Sequence, residues 1–276
     1  LGVPPAEILD LSASLNPLAP DVTSIAGAHL DALGRYPDPQ PATAALATAI
    51  GTHPDRLLLT NGGAEAIALV AAELGGHAIE PEFALHPRHP RGQGPRWRSN
   101  PHNPSGRLAS PADHAGVWDE AFYPLATGRW TRGDGVVVGS LTKLFACPGL
   151  RLGYVLAGPA LIERLRARQP AWSVNTLALA TLPHLLALAD LAAWAAAITQ
   201  LRAELAALLA SHGLGPAPSD ANWILCAHAP GLRRRLAPHG VLVRDATSFG
   251  LPGQARVAVP SPAGLARLEE ALCAAG

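Results

Sequence analysis

Short runs in which nearly every residue is apolar recur along this chain. Each is stopped by a glycine-rich or polar turn, and alanine- and leucine-rich stretches of helical period lie between them. A strand that is apolar on both faces has to be covered on both faces. Helices on either side of a mostly parallel sheet do this, so the pattern predicts an α/β fold. Residues 56–60 form one such strand, which stops at Asn61-Gly62-Gly63 and passes into a helix over 64–74. Residues 97–99, 116–120 and 135–139 supply further strands, the last with three successive valines, and 43–50 reads as a helix. From Pro159 the pattern changes to a helix near 160–168 and a long Ala/Leu helical region reaching about 211. Strands at 223–226, 241–244 and 255–259 then alternate with helices, the last amphipathic over 263–274. The expected organisation is a large domain over 21–185, with a small α+β domain made from 1–20 and 186–276.

Composition narrows the function classes. The 276 residues are 49% hydrophobic and 15% charged, the profile of a packed globular protein. Basic and acidic side chains balance at 21 each, which leaves no global field to attract nucleic acid or an anionic membrane. The run Arg233-Arg234-Arg235 reads as the solvated face of a helix. Three scattered cysteines, Cys147, Cys226 and Cys273, form no CxxC pair and no zinc spacing, which suits a reducing compartment. No basic segment followed by an apolar run marks a signal peptide, and a cytoplasmic location is expected. Residues 177–198 are largely apolar, but Pro183-His184 and Asp190 interrupt them, so a buried helix is expected in place of a membrane span. His86, Arg88, His89 and Arg91 lie in a Pro/Gly-rich stretch that reads as a solvated loop, His86 excepted. Trp194 and Trp223 read as core anchors. No metal site is expected. Methionine is absent even from position 1, so the chain as it stands is not expected to be a complete reading frame.

Of the 21 basic residues, only Lys143 is lysine. Arginine meets every other need for a cation here. A lysine amine can be made neutral and nucleophilic by its surroundings, whereas arginine stays charged. A leftover surface lysine would satisfy the same count, so the neighbours decide. Ser140-Leu141-Thr142-Lys143 closes the valine strand, and Arg151 follows eight positions on. Two hydroxyls and a guanidinium beside one amine suit a phosphate. Gly62-Gly63-Ala64 follows a strand and opens a helix, an arrangement that can bind an anion but is also common in plain tight turns. Asp119 ends a buried strand. It needs a cationic partner there unless it simply caps the next element.

The segment SLTKLFACPGLRLGY (140–154) resembles the Schiff-base motif of pyridoxal 5′-phosphate (PLP)-dependent aminotransferases of the aspartate-aminotransferase fold. YPDP (36–39), NGGAEAI (61–67), NPHNPSG (100–106) and WDEAF (118–122) continue the likeness in the family's order. Histidinol-phosphate aminotransferases and the threonine-phosphate decarboxylases of cobalamin synthesis are the most similar branches. DLSASLNPLAP (10–20), DEAF in place of DEAY, and VRDATSFGLPGQARVAV (243–259) resemble the decarboxylases more. The resemblance implies that Lys143 holds PLP as a Schiff base and that Asp119 pairs with the pyridine nitrogen. It implies that Asn103 bonds the ring hydroxyl and that His86 stacks on the ring. Gly63, Ala64, Ser140, Thr142 and Arg151 are implied around the cofactor phosphate, with Tyr36 reaching the phosphate of a partner subunit in a homodimer. Asn16, Arg244 and Arg256 are implied to face an amino-acid substrate, Arg256 at its carboxylate.

The chain also departs from the family. Ala64 stands where a hydroxyl residue is usual, and Phe122 replaces a tyrosine. The stretch from His86 to Asn100 is much shorter than relatives carry, so a strand and helix of the large domain are expected to be missing. The function expected from the resemblance is decarboxylation of L-threonine O-3-phosphate. The alternatives are an aminotransferase, such as one for histidinol phosphate, or a non-catalytic protein that keeps the fold.

Overall fold

The computed structural model describes residues 3–90 and 93–275; Arg91 lies outside them. The chain opens with a two-residue strand, β1 (Leu9–Asp10), and then builds a helical layer that includes Gln40–Ile50, where a helix is expected at 43–50. Gly51, left-handed at φ 78°, ends that helix. Six strands make the central sheet: β2 (Leu57–Asn61), β3 (His77–Ala78), β4 (Arg96–Ser99), β5 (Val117–Asp119), β6 (Val136–Ser140) and β7 (Leu152–Leu156). Their order is β2-β7-β6-β5-β4-β3. Strands β3, β4, β5 and β6 run parallel, while β7 runs antiparallel to both β6 and β2. The mostly parallel sheet is therefore present, with one reversed strand inside it. Sequence reading took residues 152–156 only as part of a motif and missed β7.

This topology sets the carboxyl ends of β2, β4, β5 and β6 along one edge, which carries Asn61, Ser99, Asp119 and Ser140. Strand β7 starts at the same edge, directly after Arg151. Ligands of open α/β sheets collect at such an edge. The shortening expected in the large domain shows beside it. The links 79–95 and 100–116 contain no helix among the described residues, and edge strand β3 is only two residues long.

The C-terminal part holds β8 (Trp223–Cys226), β9 (Val241–Leu242), β10 (Arg244–Asp245) and β11 (Ala255–Ala258). Strands β10, β11 and β8 form an antiparallel sheet, and β9 pairs with β1 in parallel. The single strand expected at 241–244 is thus divided between two sheets, because its first half is claimed by the N-terminal segment. The long helical region divides as well, into Thr176–Ala187 and Leu191–Ser211, bent by 81°. Asp190 caps the second helix by accepting a hydrogen bond from the Ala193 amide (2.9 Å). No single described helix is long and apolar enough to cross a membrane.

Helix Leu191–Ser211 belongs to two interiors. Leu191, Trp194 and Ile198 pack into the core between the sheet and the helical layer, with Tyr154, Phe145 and Leu182. Leu201, Leu205 and Leu209 pack into the C-terminal core, with Ile224, Val257 and Leu268. The two cores meet in the middle of this helix, whereas the sequence placed the boundary at 185/186.

Candidate active site

A cavity of about 390 Å³ opens at the carboxyl edge of the sheet, between the strand ends, the N-terminal segment and strands β10 and β11. Lys143 enters it from the four-residue helix Leu141–Leu144, which continues directly from β6. Its Nζ donates to the Ala13 carbonyl (3.0 Å) and lies 5.9 Å above the Phe122 ring. Burial lowers the lysine's pKa, and the guanidinium groups of Arg256 and then Arg151 lower it further. The shift is toward the neutral amine, the nucleophilic form.

Asp119 lines the same cavity and is almost fully buried. One carboxylate oxygen accepts from the Ala121 amide (3.0 Å) and the other from His86 Nε2 (3.0 Å). Asn103 comes from the turn after β4. Its Oδ1 accepts from Arg256 Nη1 (2.7 Å). Arginine offers only donors, so this bond fixes the amide's orientation and leaves its NH₂ for the cavity. Arg256 also donates through Nη2 to the Ser12 carbonyl (3.1 Å), and its carbon Cζ lies 5.0 Å from the centre of the Trp223 ring. Its buried Nε has no hydrogen-bond partner among the described residues. Burial, with Arg244 adding to it, pushes the pKa of Arg256 down to about 10.

The opposite end of the cavity is built for an anion. Gly62 has φ +78°, and a Cβ there would collide with the Arg151 guanidinium, so glycine is required for Arg151 to lie across the helix start. Arg151 is itself left-handed at φ 57°. Gly63 packs on Ser140, with only 3.4 Å from a Cβ built on Gly63 to the serine Cβ. Gly63, Ala64, Ser140 and Thr142 all face the cavity beside the N-terminus of helix Gly62–Leu74. The Thr142 hydroxyl donates to the Leu152 carbonyl (3.1 Å), so toward the cavity it can only accept.

Ten of the residues expected at the site thus line one cavity: Lys143, Asp119, Gly63, Ala64, Asn103, Ser140, Thr142, Arg151, Arg244 and Arg256. Two do not. His86 is not a stacking wall. Its side chain is fully buried behind Asp119, against Trp97 and Phe83, and Phe83 and Leu85 face the cavity in its place. Asn16 does not face the cavity either. Its amide donates to the Leu144 carbonyl (2.9 Å) and accepts from the Leu18 amide (3.0 Å), and its backbone N–H donates to the Lys143 carbonyl (3.1 Å). It clamps the N-terminal segment onto the lysine helix. Tyr36 lies outside this cavity, 79% exposed and stacked on Trp172 with ring centres 4.8 Å apart. Arg88 is no free loop residue, because its guanidinium ties Glu80 to the carbonyls of Glu82, Phe83 and His86. Sequence reading missed Ser12 and Ala13, which sit in the DLSAS segment, and Phe249, which packs under Arg244.

A sheet edge offering a half-buried amine, a buried carboxylate and an anion cradle has the chemistry of a PLP-dependent enzyme. A family model for aminotransferases of class I and II matches residues 97–272, and the chain belongs to that family. It is 29% identical to a histidinol-phosphate aminotransferase of Thermobifida fusca (strain YX), over 96% of this chain and 89% of that protein. That alignment runs over 333 positions against a chain of 276 residues, so the relative carries segments that this chain lacks. Among solved structures, the L-threonine-O-3-phosphate decarboxylase of Porphyromonas gingivalis superposes with a TM-score of 0.81 at 22% identity, covering 97% of this chain and 99% of that one. The histidinol-phosphate aminotransferase of Sinorhizobium meliloti in complex with pyridoxal-5′-phosphate gives 0.81 at 17% identity, covering 96% and 90%. The residues present suit the cofactor chemically. Arg151 and the glycine turn match a phosphate, the Asp119 carboxylate a pyridinium, the Asn103 amide a phenolic oxygen, and the Lys143 amine an aldehyde.

Proposed function

We propose that this protein is a PLP-dependent decarboxylase acting on L-threonine O-3-phosphate, a cytoplasmic step of cobalamin biosynthesis. The observation that carries this reading is the pair Arg244 and Arg256, which are partners across β10 and β11 and both face the cavity. Two guanidinium groups call for two anionic groups on one ligand, and a carboxylate with a phosphate answers that. A cavity of about 390 Å³ that must also seat the cofactor favours a small substrate over one bearing an imidazole ring.

In this reading Lys143 carries the cofactor and returns a proton to the substrate Cα. Asp119 holds the pyridine nitrogen in its charged form, and Asn103 donates to the ring hydroxyl. Gly63, Ala64, Ser140, Thr142 and Arg151 take the cofactor phosphate. Arg256 grips the substrate carboxylate and so selects which Cα bond is aligned for cleavage, while Arg244 takes the phosphate. Bound PLP supplies the electron sink for that cleavage. Phe83, Leu85 and Phe122 line the cavity with apolar surface and would keep water from a bound cofactor. Leu30, Leu33, Tyr36 and Trp172 are each more than half exposed, which suits a homodimer in which Tyr36 reaches the partner's cofactor phosphate.

The test is the visible spectrum of PLP-loaded protein before and after adding L-threonine O-3-phosphate, with Lys143→Ala as control. Release of CO₂ with return of a lysine-dependent band is expected. Bleaching to pyridoxamine phosphate with a keto acid and no CO₂ would overturn the assignment. It would support the second reading, an aminotransferase, which the names of relatives at 27–29% identity favour.

A further inference from the structure

Behind the cavity lies a carboxylate that no role above uses. Glu82 is only 3% exposed, and among the described residues its side chain has neither a lysine nor an arginine partner. Burying a carboxylate on those terms is costly unless donors surround it. Three do. Its Oε2 accepts from the Ser99 amide (3.0 Å), and its Oε1 accepts from the Phe83 amide (3.0 Å) and from the Ser99 hydroxyl. The same Oε1 is 3.8 Å from His86 Nδ1, a buried nitrogen without a hydrogen bond among the described residues.

Each neighbour leads to the cavity. Ser99 accepts the backbone N–H of Asn103 at its hydroxyl (2.8 Å), and the Asn103 side chain in turn holds Arg256. His86, pressed between Trp97 and Phe83, donates to the Asp119 carboxylate (3.0 Å). Ser99 and Asp119 are also direct partners in the register of β4 and β5. Arg88 ties down the loop that carries Glu82 and His86 by binding three of its carbonyls.

We propose that Glu82 is a positioning residue of the cofactor site, acting through Ser99 on Asn103 and through His86 on Asp119. By hydrogen bonds on the Ser99 side and by close packing on the His86 side, one buried carboxylate thereby supports both polar contacts proposed for the PLP ring, and this inference rests on the roles given above to Asn103 and Asp119. The link 79–95, which has no helix among its described residues, brings this anchor close behind the sheet edge, so the shortened domain keeps a seat for the ring.

The test is a double-mutant cycle read as the PLP dissociation constant, from quenching of tryptophan fluorescence, together with the pH midpoint of the visible band. Glu82→Gln is expected to weaken PLP binding about tenfold and to move the midpoint. In an Asn103→Ala or Asp119→Asn background the same change is expected to weaken binding by about threefold or less, because contacts that act as a unit are not additive. Glu120→Gln, a change at the neighbouring buried carboxylate outside the cavity, is expected to be additive with Asn103→Ala. Equal losses from Glu82→Gln in every background, with an unmoved midpoint, would overturn the proposal and leave Glu82 a packing residue. If Glu82→Gln does not fold, Ser99→Ala cuts the Asn103 branch alone. It should couple to Asn103→Ala and not to Asp119→Asn, and the absence of that pattern would equally overturn the proposal. A wild type that binds PLP without a lysine-dependent band overturns the role given to Lys143 but leaves this cycle readable, whereas a wild type that binds no PLP overturns both.

Discussion

Arg244 and Arg256 are paired residue to residue across two antiparallel strands, and neither is balanced by a carboxylate among the described residues. Like charges placed directly opposite each other destabilise a strand pair. A bound anion relieves that repulsion. Inorganic phosphate at about ten times its dissociation constant should therefore stabilise the PLP-loaded protein by about 1.4 kcal/mol and raise its Tm by roughly 2–4 °C. Thermal denaturation at matched ionic strength should show the rise in wild type and its loss in Arg244→Gln.

Arg256 uses its planar fork to reach Asn103 and the Ser12 carbonyl together. Lysine keeps a charge but cannot span both. Arg256→Lys should lower kcat/KM by about 10²–10³, a transition-state loss of about 3–4 kcal/mol, with the fold retained. Steady-state CO₂ release beside far-UV circular dichroism checks both halves of the expectation.

Asn16 holds the N-terminal segment against the backbone of the lysine helix through two side-chain bonds in a buried setting. Asn16→Ala leaves the Leu144 carbonyl and the Leu18 amide without those partners, which should cost about 1–3 kcal/mol of stability. The Ala13 carbonyl that meets Lys143 sits on the same segment, so kcat should fall while KM for the substrate stays nearly constant. Urea denaturation and steady-state kinetics separate the two effects.

Glu120 follows Asp119 but turns away from the cavity, toward the amide of Arg132 (3.1 and 3.2 Å). Burial raises its pKa from the ordinary 4.5 to about 7. The folded state therefore holds a proton that the unfolded state releases between those values. Stability should fall as pH rises through that window, by about 3 kcal/mol in all for this group. Glu120→Gln should flatten the slope, and unfolding free energies at pH 5 and pH 8 provide the check.

Much of the site was legible because its chemistry is written in residue types. A sole lysine, an aspartate at the end of an apolar strand and a double glycine before a helix each announce a local need, and the structure brings all three to one edge. The strands seen as apolar runs were legible for the same reason, since burial on both faces leaves no polar position to hide the signal. The resemblance misplaced His86 and Asn16, because a matched motif position does not reveal which side chain of a loop turns inward. His86 sits one residue beyond Leu85, and only Leu85 reaches the cavity. Strand β7 and the division of residues 241–245 were missed for a different reason. Direction and partner choice come from pairing between distant segments, such as β1 with β9, and leave no mark in either segment alone.

Helix Leu191–Ser211 seals the first core with Trp194 and Ile198 and opens the second with Leu201 and Leu205. A chain emerging from the ribosome cannot close the interior beneath the lysine strand until those residues have followed it out, well after every cofactor-facing residue of the sheet edge has been made. The nascent sheet must wait, partly open, for a helix that also begins the other half. The two halves are thus finished in a fixed order, and a product that stopped before residue 190 would leave helix Tyr123–Thr127, with its apolar Leu125, uncovered before any chaperone or protease at the exit tunnel.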